Sequence, residues 1–274
     1  MTNNHEDIIR RALEEDIGDG DVTTLCTIPD ESILHGKFIA KSAGIIAGLD
    51  VAKLAFSLVD KRVDFISHVS DGDRAGVKQV FAEVRGPGRA ILTGERVALN
   101  FLQRMSGIAT LTRRFVDAVK GTSAVILDTR KTAPGLRVFD KWAVRLGGGQ
   151  NHRFGLFDMV LIKDNHIAAL GSISATVASV RSKDSRKRAI EVEVKNLAEL
   201  QETLALGVER IMLDNMNAEE MREAVRVTLG SVPLEASGNV SLENVADIAA
   251  TGVNYISVGM LTHSAKAMDI SLLL

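Results

Sequence analysis

The chain has 274 residues, of which 46 % are hydrophobic and 25 % charged, and its formal net charge is −2. That length exceeds most single small domains and suits either one barrel or two domains. The composition excludes long disordered stretches, and the charge excludes the global basic field of a nucleic-acid binder.

Cys26 is the single cysteine, so an intrachain disulfide and a cysteine-based zinc site are both excluded. The longest run without Asp, Glu, Lys or Arg, Ile248 to Ala265, is broken by Gly252, Asn254, Ser257, Gly259 and His263 and does not read as a membrane span. Met1 to Arg10 is polar and lacks the apolar core of a secretory signal; the expected location is the cytoplasm.

In chain order, Glu6–Glu15 reads as a short amphipathic helix capped by Asn4, followed by a loop at Gly18-Asp19-Gly20-Asp21. Lys37–Ile46 and Val77–Val84 read as strands, with a helix over Asp50–Leu58 between them. Thr93 is expected to cap a helix ending near Met105. This mixture predicts a small α+β domain, and the pattern changes at Ser106–Gly107.

Beyond Gly121 the chain becomes regular. Apolar β-branched runs recur at Ala124–Leu127, Met159–Ile162, Ile190–Val194, Arg210–Leu213, Pro233–Ala236 and Asn254–Val258. Helical stretches separate most of them, at Ile173–Arg181, Leu197–Leu206, Ala218–Leu229 and Leu242–Ala250. The alternation predicts parallel strands with helical crossovers. A full eight-unit barrel needs about 250 residues; the six units here predict an incomplete (β/α) barrel, with an open doubly wound sheet as the alternative.

Chemistry in such barrels sits at the C-terminal strand ends. Those ends carry Asp128-Thr-Arg130-Lys131, Lys163-Asp-Asn-His166, Glu191 with Glu193, Asp214-Asn215, Glu235 with Ser237-Gly238, and Gly259 followed by His263. Between Asp128 and His166, seven Lys or Arg residues oppose four Asp, a local balance of +3 in a chain of net −2. Cations at some strand ends and carboxylates at others suit a polyanionic substrate carried with a divalent metal. Each feature has a plainer reading: a solvated turn for Arg130-Lys131, a flexible loop for Gly147-Gly148-Gly149, a structural role for His152. Glu191 and Glu193 are harder to set aside, because alternation puts both on one face of a buried strand.

Asp128-Thr-Arg-Lys-Thr-Ala-Pro-Gly-Leu-Arg137, Gly147-Gly-Gly-Gln-Asn-His-Arg153 and Leu161-Ile-Lys-Asp-Asn-His166 resemble the central motifs of the quinolinate phosphoribosyltransferase family. Glu191-Val-Glu-Val, Leu213-Asp-Asn, Glu235-Ala-Ser-Gly and Val258-Gly-Met-Leu-Thr-His-Ser264 follow in order, and Glu14 to Thr24, Gly94-Glu-Arg and Ser106-Gly-Ile-Ala-Thr110 extend the likeness over nearly the whole chain. The resemblance implies an N-terminal α/β sandwich domain over residues 1–106, an incomplete catalytic barrel over 107–264, and a tail, 265–274, that returns to the N-terminal domain. It also implies dimers or assemblies of dimers, with a partner's N-terminal domain completing each site. One departure is Asn239, where the family often has a second glycine after Ser-Gly.

The implied reaction joins quinolinate to 5-phosphoribosyl-1-pyrophosphate (PRPP), with Mg²⁺, giving nicotinate mononucleotide, pyrophosphate and CO₂. On that resemblance Arg130, Arg153 and Lys163 hold quinolinate, with His152 nearby and Arg96 reaching in from a partner. Lys131 meets pyrophosphate, Glu193 and Asp214 hold Mg²⁺ or the ribose hydroxyls, and Ser237, Gly238 and Gly259 line the 5-phosphate site with His263 close by. Lys131, Lys163, Glu193 and Asp214 are the expected catalytic set. Competing readings are another acceptor such as nicotinate, an aldolase-like Schiff base on Lys163, and a non-enzymatic sugar-phosphate sensor.

Overall fold

The structure is a computed structural model describing residues 5–274. In chain order the elements are α1 (His5–Ile17), α2 (Val22–Thr27), β1 (Ile33–Ala40), β2 (Gly44–Ile45), α3 (Leu49–Val59), β3 (Asp64–Ser67), β4 (Arg74–Ala75), β5 (Val80–Pro87), α4 (Gly88–Ala118), β6 (Val125–Leu127), α5 (Arg137–Leu146), β7 (Val160–Ile162), α6 (Asp164–Leu170), α7 (Ile173–Lys183), β8 (Ile190–Val194), α8 (Leu197–Leu204), β9 (Arg210–Asp214), α9 (Ala218–Thr228), β10 (Leu234–Ser237), α10 (Val245–Ala249), β11 (Tyr255–Ser257), α11 (Met260–His263) and β12 (Ile270–Leu273). The expected Asn4 cap lies outside the described residues. Among the described residues no helix is long and apolar enough to cross a membrane.

The chain forms two compact units. The first comprises Met1–Arg113, Thr132–Gly148 and Leu261–Leu274, and the second Arg114–Lys131 and Gly149–Met260. In the first, an antiparallel sheet runs β12-β1-β5-β3, with the small pair β2-β4 separate from it. The single strand expected over Lys37–Ile46 is therefore two strands in two sheets, broken by the bend at Lys41-Ser42. Phe38, Phe56, Phe65 and Phe81 pack together, with ring centroids 5.4–6.2 Å apart. The alternating apolar face of β1 thus meets α3, as a half-buried sheet requires. The C-terminal strand β12 pairs antiparallel with β1, Lys37 opposite Leu273 and Ala40 opposite Ile270.

Two sequence expectations are corrected in this unit. Thr93 is not a helix cap: α4 begins at Gly88 and runs on through Ser106–Gly107, and the Thr93 hydroxyl instead donates to Asp21 at 3.2 Å. Residues 132–148 group with the N-terminal unit rather than with the barrel. Arg104 grips the buried Asp140 bidentately, at 2.8 and 2.7 Å, and Asp140 also accepts the Ala133 N–H at 3.1 Å. The buried side of α5 carries Phe139, Ala143 and Val144, with Phe139 edge-on to Phe101 at 4.9 Å. A Cβ on Gly147 would stand 2.5 Å from the Ala109 carbonyl, so this glycine permits close packing rather than a loose loop.

The second unit is a six-stranded parallel sheet in the order β6-β11-β10-β9-β8-β7. The order is cyclic, with β6 placed beyond β11, and it shows no reversal of the kind a doubly wound sheet has. Among the described residues β6 and β7 do not pair, so the barrel is incomplete. All six predicted strands are present, with ends differing by one residue or so from the sequence reading. β8 is buried along its whole length, and the crossovers begin at side-chain caps: Ser172 on α7, Asn196 on α8, and Asn217 with Glu220 as a reciprocal box on α9. The predicted Leu242–Ala250 helix shortens to α10, while α2, α5, α6 and α11 were not expected from the pattern.

Gly107 supplies a test of the packing. Glycine-to-alanine in a helix interior normally gains about 1 kcal/mol. Here the added Cβ would lie 2.2 Å from the Lys266 carbonyl oxygen and 3.0 Å from the Ala267 Cα. Backbone cannot yield as a side-chain end can, so overpacking wins, and Gly107→Ala is expected to destabilise by about 1–3 kcal/mol. Thermal unfolding of the variant checks this; a raised midpoint would show that the 265–274 segment does not hold α4 this closely.

Candidate active site

The C-terminal ends of the parallel strands surround a cavity of about 690 Å³ in the second unit. Strand parity builds it. On β8 the residues facing inward are Glu191 and Glu193, on β9 Arg210, Met212 and Asp214, on β10 Glu235 and Ser237, and on β11 Tyr255 and Ser257, while the intervening Val192, Ile211, Leu213 and Ala236 are buried apolar residues. Of the sequence-predicted site residues, Arg130, Lys131, His152, Arg153, Lys163, Glu193, Asp214, Ser237 and Gly238 line this one cavity.

Three predicted residues do not. Gly259 lies between β11 and α11, and Ser257 occupies the cavity wall instead. His263, on α11, belongs to the other unit, where its Nδ1 is 2.6 Å from the Ser264 hydroxyl. Arg96 is exposed on α4 of that unit. The polar residues Thr129, Asn215, Glu235, Asn239 and Ser257 also line the cavity without having been assigned a site role; the first four stand in the strand-end motifs, and parity on β11 pointed to Ser257.

The cationic side is assembled by β6 and the segment after Gly149. Gln150 bridges to Leu127, and the buried Asp128 carboxylate accepts the His152 N–H at 2.9 Å and the Asn151 amide at 2.5 Å. Asp128 thereby fixes the segment that carries Arg153. Burial, and then the nearby positive charge of Arg130, hold the Arg153 guanidinium below its usual range, while Glu191 and Asp158 act in the opposite direction. Two guanidiniums that destabilise each other in a half-buried wall form a receptor for an anion. Across the cavity the Lys163 ammonium forms an ion pair with the Glu193 carboxylate.

One part of the cavity wall is a tight turn with left-handed backbone angles. Gly238 has φ +101°, and a Cβ there would fall 2.2 Å from Asn215 Oδ1. Asn215 and Asn239 both adopt left-handed angles, φ 55° and 50°, and Asn239 Nδ2 donates to Asn215 Oδ1 at 3.1 Å. The departure at Asn239 therefore keeps a glycine-like backbone, since Asn tolerates this region better than most residues.

Two groups of side chains have metal-ligand chemistry. Glu193 and Asp214 line the cavity with hard carboxylate oxygens, and the Asp214 side chain has no hydrogen bond or ion pair among the described residues. That donor set fits Mg²⁺ held jointly with substrate phosphates. Deeper, His152, Glu191 and Glu235 bring their ligand atoms within 4.8 Å of one another. Arg210 lies 3.0 Å from Glu235, and both Arg210 and Arg153 act electrostatically on Glu191. Arg210 pairs with one oxygen of Glu235, while the other Glu235 oxygen and both Glu191 oxygens are buried with no hydrogen-bond partner.

Sequence profiles match the quinolinate phosphoribosyl transferase N-terminal domain over residues 21–106 and its C-terminal domain over 108–273. The chain belongs to the quinolinate phosphoribosyltransferase family. It is 47 % identical over 258 residues to a probable nicotinate-nucleotide pyrophosphorylase (carboxylating) of Bacillus subtilis, covering 94 % of this chain and 89 % of that one. A quinolinate phosphoribosyltransferase (decarboxylating) of Nicotiana tabacum is 48 % identical over 284 residues, covering 97 % and 81 %. Among solved structures, NadC of Streptococcus pyogenes superposes with a TM-score of 0.95 at 41 % identity, covering 98 % of this chain and 95 % of that chain. The family's two profiles meet at 106 and 108, inside α4, whereas the compact units divide at 113 and exchange residues 132–148.

Glu191 and Glu235 are both pushed up to about 7, chiefly by burial; the Glu191 charge raises Glu235 further, while Arg210 opposes the rise in both. For a carboxyl raised on folding, the native state binds more protons than the unfolded state between the ordinary 4.5 and about 7. The stability this contributes is complete below that window, falls across it, and is lost above about 7. Raising pH from 5 to 8 is expected to lower the unfolding midpoint of the wild type more than that of Glu235→Gln. Parallel midpoint-against-pH curves for the two proteins would contradict it.

Proposed function

We propose that this chain transfers phosphoribosyl from PRPP to quinolinate with loss of CO₂, giving nicotinate mononucleotide and pyrophosphate in NAD biosynthesis. The family membership carries the reaction class, and one observation supports the chemistry: Arg130, Arg153 and Lys163 share a single cavity with Glu193 and Asp214. Quinolinate bears two adjacent carboxylates, and two guanidiniums with an ammonium can hold them and fix the ring orientation. Asn239, Gly238 and Ser237 suit the 5-phosphate, and Lys131 the pyrophosphate.

The bond order of events follows from charge. The pyridine nitrogen lone pair forms the bond to the anomeric carbon while the carbon–oxygen bond to pyrophosphate breaks and its electron pair leaves with that group. Positive character on the ribose ring is stabilised by the Glu193 and Asp214 carboxylates, and alignment of the two reactants lowers the barrier further. The ring nitrogen is then cationic. It accepts, inductively, the charge left at C2 when the carbon–carbon bond to the 2-carboxylate breaks and CO₂ departs, after which C2 takes up a proton. Glu193 and Asp214 would hold Mg²⁺, which when bound would supply charge neutralisation for the leaving pyrophosphate.

Arg96, exposed on α4, is proposed to act in the site of a second copy within a homo-oligomer. Mixing Arg96→Ala with Arg130→Ala subunits should then restore roughly a quarter of wild-type activity, since half of randomly formed dimers hold one intact site of two. No recovery after verified subunit exchange would assign Arg96 to its own chain or to no site.

Incubation of the protein with quinolinate, PRPP and Mg²⁺, following nucleotide and CO₂ together, tests the reaction; nucleotide without CO₂ from nicotinate would favour the other acceptor. Arg130→Ala should lower kcat/KM for quinolinate by at least about a hundredfold, the worth of a lost charged bidentate contact. Glu193→Ala should instead weaken metal-dependent use of PRPP. Near-normal kinetics for Arg130→Ala would reject its role.

A further inference from the structure

Two adjacent strand ends meet at the turn that the proposed reaction gives to the 5-phosphate. Ser237 on β10 pairs beside Asp214 on β9, and the Asn215 N–H donates to the Ser237 carbonyl at 2.9 Å. Three residues at this junction have left-handed backbone angles: Asn215 at φ 55°, Gly238 at φ 101° and Asn239 at φ 50°. The three interlock. Asn215 Oδ1 lies 2.2 Å from where a Cβ on Gly238 would stand, so the amide rests on the bare face of that glycine. The same oxygen accepts from Asn239 Nδ2 at 3.1 Å. On the other side of the turn, Asn244 Nδ2 donates to the Asn239 carbonyl at 3.0 Å, and Asn244 Oδ1 accepts the Ser241 N–H at 2.8 Å. The Gly238 and Asn239 N–H groups donate to no protein acceptor among the described residues.

We propose that the Asn215 and Asn239 side chains are positioning groups for the donor's 5-phosphate: their amide–amide hydrogen bond clasps the β10–α10 turn to the end of β9 and holds the turn's backbone N–H groups ready for the anion. The inference deepens the proposed reaction and rests on this turn receiving the phosphate. It gives Asn239 a task beyond tolerating a left-handed angle. A glycine at 239 would take that angle at less steric cost, yet it would also reach many others. A turn that must be ordered when the ligand arrives binds more weakly than one already ordered, because the ordering entropy is lost at binding. Asn239 restricts the turn through its bond to Asn215, and Asn244 fixes its carbonyl from the other side.

Glycine variants separate the clasp from the backbone angle. Asn239→Gly and Asn215→Gly each keep the left-handed backbone available and remove only the amide. If these asparagines merely tolerate that angle, glycine is neutral or better at both positions. The clasp predicts instead that each variant loses about fivefold in affinity for ribose 5-phosphate, the worth of one hydrogen bond, measured by calorimetry on the full chain without metal. KM for PRPP should rise in step, with KM for quinolinate within about twofold of wild type. The double variant should bind no more weakly than either single variant, because each removes the same bond. Wild-type affinity for ribose 5-phosphate in either single variant overturns the proposal. Losses that multiply in the double variant overturn it too, since amides that meet the phosphate separately lose affinity independently. Binding of ribose 5-phosphate to the wild type distinguishes the two levels: its absence rejects this turn as the phosphate site, whereas normal wild-type binding with unaffected variants rejects only the clasp.

Discussion

The site depends on the parallel register of β8, β9 and β10. Glu191 pairs beside Arg210, Glu235 beside Met212 and Ser237 beside Asp214, and the pleat sends each of these inward. A slip of one residue would turn Glu193 and Asp214 out against the helices and bring Val192 and Leu213 into the cavity. The apolar alternates are what prevent that slip, because Val192, Ile211, Leu213 and Ala236 are fully buried on the helix-facing side. Hydrophobic burial on one face of each strand thus fixes the position of charge on the other.

Charge of both signs in one cavity has its own requirement. Carboxylates taken out of water are costly unless compensated, and the inward faces supply the compensation in layers. Near the mouth Lys163 meets Glu193, and Arg130 and Arg153 stand together where an anion can reach them. Beneath them Arg210 and His152 meet Glu235 and Glu191. In the lower layer one Glu235 oxygen and both Glu191 oxygens stay buried without a hydrogen-bond partner, and in the upper layer the Asp214 side chain faces the cavity.

Much of this was legible beforehand for a definite reason. Parallel strands buried on both faces read as β-branched runs, so Ile190–Val194 was recognisable to the residue, and a polar residue at such a strand end has few reasons to be there but chemistry. Glycine-based signals were weaker. Ser106–Gly107 reads as a break, yet Gly107 sits inside a 31-residue helix because the Lys266–Ala267 backbone needs the space its missing side chain leaves. Gly147 reads as loop and is a packing contact for the same reason. A glycine reports that a side chain would be unwelcome, and sequence does not say whether backbone angle or a distant neighbour is the cause.

By itself the sequence determined the alternating βα order, the set of charges at the strand ends and the family, because these rest on local periodicity and on ordered motifs. The tertiary structure alone decided which of those charges reach the cavity. It placed Gly259 off the wall, gave His263 and residues 132–148 to the other compact unit, and turned both nitrogens of His152 toward protein groups. Those outcomes depend on partners far away in the chain, such as Arg104 for Asp140 or Asp128 for the His152 N–H, and no local pattern carries that pairing.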